Sequence, residues 1–143
     1  MYYPDMSIYS YSNFDKKLKE MYNLGEEFVF LNIGWIDSSM EYEKAEKNEE
    51  FLKKMLILIK KSGNMMRGYH RCQYCLKDRM IGNEYDLICV KEGDSTITLG
   101  SREIYFQYGN FVFISPDLIY HYIENHSYKP PDLYYDAVMK SIV

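Results

Sequence analysis

Arg102–Ile114 has the sequence REIYFQYGNFVFI, and this stretch decides the fold class. In its first half, Ile104 and Phe106 alternate with Tyr105, as in a strand with one buried face. Gly109-Asn110 separates the two halves and is a dipeptide that favours a tight hairpin turn. Since both halves are rich in aromatic and β-branched residues, we predict two antiparallel strands joined by this turn.

Working outward, further strand signals lie upstream of the hairpin. Residues 86–91 and 95–99 flank a Gly-containing turn centred on Gly93 and extend the pattern into an antiparallel meander. Phe28–Ile36 is a nearly continuous apolar run with aromatic and β-branched residues, and its length suits a buried strand better than a helix.

The clearest helical pattern covers residues 41–61. Its apolar residues recur at helical spacing and define one face, namely Phe51, Leu52, Met55, Leu58 and Ile59. Shorter helices are predicted over 15–24, from Ser115-Pro116-Asp117 to about Asn125, and from Pro130-Pro131-Asp132 onward. The last of these should turn Leu133, Ala137 and Val138 inward.

These elements predict one α+β domain over residues 1–143. An antiparallel β-meander should pack against two to four helices, with a Cys/His knuckle between the long helix and the meander. A chain of 143 residues is near the commonest size of a single domain and long enough to bury a core.

The net charge of −4 argues against a general nucleic-acid binder, which needs clustered Lys and Arg. The chain has no export signal and no apolar run of membrane-spanning length, so we expect a cytoplasmic protein that does not enter a membrane. Three cysteines without an export signal do not suggest a disulfide framework. The oligomeric state is not defined by the sequence.

The distinctive chemical feature is Cys72-x-x-Cys75, with His70 just before it. A C-x-x-C turn brings two thiolates close enough to share one metal ion, and structural zinc sites take four such ligands. His121 and His126 supply the remaining candidates. The third cysteine, Cys89, lies in a predicted strand, where a free cysteine acts as a small hydrophobe.

Helix geometry separates the two histidines. At 100° per residue, His121 and His126 lie about 140° apart on a helix, so both can face the knuckle only if the helix ends before His126. A continuous helix would place His126 in the apolar stripe. The predicted metal ligands are therefore Cys72, Cys75, His70 and His121, with His126 as the alternative.

Several segments in order resemble a family of small bacterial proteins of unknown function. They include residues 3–7 (YPDMS), 31–37 (LNIGWID), 67–75 (RGYHRCQYC), 99–104 (LGSREI), 116–122 (PDLIYHY) and 126–131 (HSYKPP). The H-x-C-x-x-C and H-Y-x-x-x-H-x-Y-x-P-P patterns are the most specific parts of the resemblance. The resemblance implies a bacterial cytosolic protein, and it implies no particular activity.

Two functions fit these features. The first is a zinc-stabilised module that binds another protein, as immunity proteins do, because the chain is acidic and rich in tyrosine. The second is a metal-dependent hydrolase or a Cys/His-based enzyme that uses the same cluster, or a redox catalyst; a C-x-x-C that binds nothing is the remaining alternative. No phosphate-binding or dinucleotide-binding glycine pattern is present, so no nucleotide or flavin is expected.

Overall fold

The computed structural model describes residues 3–8, 28–37, 39–61, 64–65, 72–78 and 88–142. Within them the strands are β1 (Val29–Asn32), β2 (Asn64–Met65), β3 (Cys89–Glu92), β4 (Ser95–Thr98), β5 (Arg102–Tyr108) and β6 (Phe111–Pro116). The helices are α1 (Glu49–Lys61), α2 (Gln73–Asp78), α3 (Ile119–His126) and α4 (Asp132–Ser141). The predicted α+β class is confirmed. The helix predicted over 15–24 lies outside the described residues.

The strands form a four-stranded sheet in the order β1-β6-β5-β2, and β3 and β4 form a separate hairpin. Both predicted hairpins are confirmed: β5 pairs antiparallel with β6, and β3 pairs antiparallel with β4. The meander expectation was incomplete, because β1 pairs with β6 in parallel, with Leu31 opposite Phe113. The main sheet is therefore mixed.

The core lies between one face of the main sheet and helices α1, α3 and α4. The predicted apolar face of α1 is buried along its length. Tyr134 of α4 is fully buried. Its ring packs edge to face against the rings of Phe113 and Phe106 in the main sheet, with centroid distances of 5.2 and 6.2 Å. The inward residues of α4 are thus Tyr134, Ala137 and Val138, whereas Leu133 is 37% exposed and was predicted wrongly.

The opposite sheet face buries a second, smaller cluster. Phe30, Val112 and Ile114 form its centre, and Tyr105 packs against it. Strand β5 therefore has apolar contacts on both faces, in place of the single buried face that the alternation predicted. Exposed Cys89 in β3 also differs from the expected small buried hydrophobe.

Two helix starts differ from the sequence prediction. Helix α1 begins at Glu49 and not near residue 41, because the Asn48 side chain accepts hydrogen bonds from the N–H groups of Glu50 and Phe51 and caps the helix there. Helix α3 begins at Ile119 and not at Ser115-Pro116-Asp117, because Ser115 and Pro116 belong to β6 and the Asp117 carboxylate accepts the N–H of Gly100 at 2.7 Å.

No helix in the described part of the chain is long and apolar enough to cross a lipid bilayer.

Candidate metal centre

The cysteine half of the site is a turn that opens α2. Cys72 directly precedes the helix and Cys75 lies in its first turn, so that the backbone N–H groups of Tyr74 and Cys75 point at the Cys72 thiol. Burial raises the pKa of the Cys72 thiol to about 11, although these N–H groups lower it. Cys72 is buried and Cys75 is half-buried. Such N–H groups also stabilise a thiolate, which is the form that binds a metal.

The histidine half comes from the last two turns of α3. His121 is buried, at 3% exposure, and His126 is the last residue of the helix and is half-buried. The two imidazole rings meet edge to face with centroids 4.9 Å apart. The geometric prediction that only one histidine would face the knuckle is wrong.

The end of the helix explains the difference. Ser127 adopts a left-handed conformation with φ of 57°, and its N–H, like that of Tyr128, donates to the carbonyl of Tyr122. A hydrogen bond that spans five residues widens the last turn, and each residue of a wider turn advances by less than 100°. His126 is thereby rotated towards His121.

The structure brings four ligand atoms together from these two halves. Cys75 Sγ lies 3.2 Å from His121 Nε2 and 3.4 Å from His126 Nε2, and Cys72 Sγ lies 3.2 Å from His126 Nε2. All four atoms lie within 4.8 Å of one another. Tetrahedral zinc would separate a bound sulfur and a bound nitrogen by about 3.6 Å, so these distances suit one ion. The four residues can hold a metal ion.

The remaining predicted ligand, His70, lies outside the described residues. With both histidines of α3 at the cluster, four donors are present without it.

Polar neighbours fix the orientation of the histidine half. The side-chain amide nitrogen Nδ2 of Asn125 lies 2.8 Å from His121 Nδ1, and the Tyr42 hydroxyl donates to the backbone carbonyl of His126 at 2.8 Å. When a metal takes Nε2, Nδ1 carries a proton, and rotation of the Asn125 amide about its Cβ–Cγ bond would present the amide oxygen as the acceptor. Asn125 follows His121 by four residues, a helical spacing from which the contact could have been predicted.

Aromatic rings enclose the centre. The Tyr74 ring lies 5.2 Å from the His126 ring and 6.1 Å from the Tyr122 ring, and Tyr42 meets Tyr74 edge to face at 5.5 Å. The Tyr74 hydroxyl donates to the backbone carbonyl of Asp37 at 2.6 Å. Some of the many tyrosines of the chain therefore pack around this cluster.

A family described as "Domain of unknown function (DUF7919)" matches residues 1–139. The chain belongs to this family. No curated protein matches the chain, and no solved structure does either. The DUF7919 match covers every residue of the Cys/His cluster, and the description of the family names no activity. The chemistry of this DUF7919 domain must therefore be argued from its own residues.

Two kinds of chemistry are within reach of the cluster. Two thiolates and two imidazoles make a complete four-ligand set, which is typical of structural zinc and leaves no position for a substrate. Without a metal, Cys75, His121 and Asn125 form a chain of contacts in which an imidazole links a thiol to an amide. A nucleophilic cysteine uses such a chain.

Proposed function

We propose that this domain is a zinc-stabilised protein-binding module whose zinc ion is bound by Cys72, Cys75, His121 and His126. The observation that carries the proposal is the convergence of all four ligand atoms within 4.8 Å. Thiolate and imidazole donors in a tetrahedral arrangement favour zinc over magnesium or calcium, which prefer oxygen ligands.

The ion would connect two elements that are far apart in the chain. Cys72 directly precedes α2 and Cys75 lies in its first turn, whereas the two histidines belong to α3. Binding of zinc deprotonates the two thiols, and its free energy adds to the free energy of unfolding because the unfolded chain has no such site. The ion would therefore serve the fold, as a crosslink between α2 and α3.

The metal content of the purified protein tests this role. We expect about one equivalent of zinc per chain. Cys75→Ser should lose the metal and lower the melting temperature, whereas Cys89→Ser, which changes an exposed cysteine in β3, should leave both unchanged. Less than about 0.1 equivalent of zinc under conditions that retain metal would refute the zinc proposal. So would a Cys75→Ser protein that melts at the wild-type temperature.

The proposed partner is a basic protein, and the proposed setting is the cytosol of a bacterium, where an immunity-like role would fit. The net charge of −4 supports a basic partner, since opposite charges steer association. Exposed acidic residues are frequent between β1 and the start of α1, namely Glu41, Glu43, Glu46, Glu49 and Glu50.

A pull-down from the native host with the zinc-loaded chain tests the partner. We expect one stoichiometric basic protein, whose recovery falls as the salt concentration rises because salt screens the charges. Recovery of no stoichiometric partner would count against the binding role and leave the zinc proposal untouched.

The contact chain from Cys75 through His121 to Asn125 favours a second candidate, a cysteine-based enzyme. In metal-free protein, a catalytic Cys75 should react with iodoacetamide at least about tenfold faster than Cys89, with a pH profile set by the imidazole. The zinc proposal predicts instead that zinc protects Cys75 from alkylation and that only Cys89 reacts in the loaded protein.

A further inference from the structure

A cavity of about 320 Å³ lies beside the metal centre and is separate from it. Among the described residues it is lined by Asp5 and Met6 near the N-terminus, by Ile36 after β1, by residues 41–43 before α1, and by Lys129 and Pro131 between α3 and α4. The volume falls within the range of small-ligand pockets.

The charge of the lining is unbalanced. Among the described lining residues, Asp5, Glu41 and Glu43 contribute three carboxylates, and Lys129 is the one cation. Lys129 Nζ lies 3.7 Å from Glu43 and also 3.7 Å from Asp132, so its charge is shared with an acid outside the cavity. No ion pair reaches Glu41 among the residues that the structure describes. The cavity therefore carries excess negative charge.

Both carboxylate oxygens of Asp5 accept hydrogen bonds in the wall of the cavity. Its Oδ1 accepts the N–H of Gly34 at 2.9 Å, and its Oδ2 accepts the hydroxyl of Tyr128 at 2.7 Å. Burial raises the pKa of Asp5, and the charge of Glu43 raises it further. A cation in the cavity would offset the unfavourable burial of this carboxylate.

The rest of the wall is apolar and aromatic. Met6, Ile36 and Pro131 contribute aliphatic surface, and Tyr42, whose ring lies 5.5 Å from Lys44 Nζ, contributes aromatic surface. Carboxylates together with apolar surface suit a ligand that has both a charged end and a short hydrocarbon part.

We propose that this cavity binds an organic cation, namely an ammonium or guanidinium group on a short aliphatic stem. The inference goes beyond the zinc role and does not depend on it, since none of the four candidate ligands lines the cavity. The cation has two sources, a free small amine or the Lys or Arg side chain of a basic protein.

Titration of the zinc-loaded full chain with butylguanidinium, followed by NMR and calorimetry, tests the proposal. Butylurea has nearly the same shape without the charge, and it should bind at least about tenfold more weakly, the ratio expected when a charge-assisted hydrogen bond is lost. Equal binding of the two probes would overturn the proposal, and so would an absence of butylguanidinium binding.

Matched variants locate the site. Glu41→Gln should raise the Kd for butylguanidinium about two- to fivefold, as expected for a partly exposed ion pair. Glu46→Gln makes the same charge change in the same segment outside the cavity and should leave the Kd unchanged. Equal effects of the two variants would overturn the proposed location. Asp5→Asn, where it folds, should weaken binding more than Glu41→Gln.

A second probe distinguishes the two sources of the cation. A Gly-Arg-Gly peptide with blocked termini carries the same guanidinium on a polypeptide backbone. Binding at least as tight as that of butylguanidinium assigns the cavity to a protein side chain. Exclusion of the peptide while butylguanidinium still binds assigns it to a free small cation, and either result supports the cation chemistry.

Discussion

Replacement of Gly34 by alanine should destabilise the fold through a contact with the helix that carries both histidines. Gly34 has a φ of 77°, a left-handed conformation that costs a non-glycine residue about 1–2 kcal/mol. A Cβ at this position would lie 2.8 Å from Cδ1 and 2.9 Å from Cγ1 of Ile119, the first residue of α3. Ile119 is fully buried, so it has little room to move.

The overlap between the new Cβ and Ile119 further destabilises the folded state by about 1–3 kcal/mol, which is the usual cost of overpacking a core. Gly34→Ala should therefore lower the free energy of unfolding by about 2–5 kcal/mol and the melting temperature by about 6–15 °C in a chain of this size. Scanning calorimetry measures both quantities. Displacement of α3 should also weaken zinc binding, because His121 and His126 move with the helix.

Gly109→Ala is the matched control. Gly109 has a φ of 59° in the β5–β6 turn, and a Cβ there would have no atom within 4 Å. Only the conformational cost of about 1–2 kcal/mol applies. A double-mutant cycle with Ile119→Ala tests the overlap directly. The double variant should lose less free energy of unfolding than the two single variants lose together, by about 1–3 kcal/mol. Equal effects of Gly34→Ala and Gly109→Ala, or strict additivity, would refute the reasoning.

Two further predictions concern α3 and the approach to it. Asp117 is fully buried, and burial raises its pKa to about 6, above its usual value near 4. Hydrogen bonds from the backbone N–H groups of Gly100, Arg102 and Ser101 lower this pKa but do not outweigh the burial. Because the folded state binds this proton more tightly, its contribution to stability is complete below about pH 4 and is lost as the pH rises through about 6. Urea unfolding between pH 4 and 7 should show a loss of about 3 kcal/mol that Asp117→Asn lacks; identical pH profiles for the two proteins would contradict this. Asn125→Ala should weaken zinc binding about 10- to 100-fold by removing the partner of His121 Nδ1, with no change in the melting temperature of the metal-free protein, since Asn125 is exposed. Competition with a chelator measures the affinity, and wild-type affinity in Asn125→Ala would exclude a positioning role.

Elements with local signals were predictable from the sequence. The Gly109-Asn110 turn and the alternation before it define the β5–β6 hairpin without reference to the rest of the chain. The parallel pairing of β1 with β6 joins residues about eighty positions apart, and no local pattern encodes such a register. The second apolar face of β5 was missed for the same reason.

The metal centre shows the same division. The spacing of Cys72 and Cys75 is local, and their proximity follows from it. The position of His126 depends on a widened last turn, which is closed by the hydrogen bond from the N–H of Ser127 to the carbonyl of Tyr122, and regular helix geometry gave the wrong answer there. Tyr42 is eighty-four residues from His126, and no sequence signal connects its hydroxyl to that carbonyl.

The end of α3 is held by contacts that need no metal. The extended segment before α1 supplies them: the N–H of Ala45 donates to the carbonyl of Ser127 at 2.9 Å, and Lys44 forms a bridge with Tyr128. Backbone carbonyls left free at a helix end require partners, and this segment provides them just beyond His126. The fold therefore positions the backbone that carries the histidine half of the site, and α2 is held beside it by the ring contacts of Tyr74 and by the hydrogen bond from its hydroxyl to Asp37. A half-site positioned in advance lowers the entropic cost of ion binding, because fewer groups are ordered when the ion arrives. These contacts constrain the backbone of His126 although it is the last residue of its helix, where side chains are otherwise least constrained.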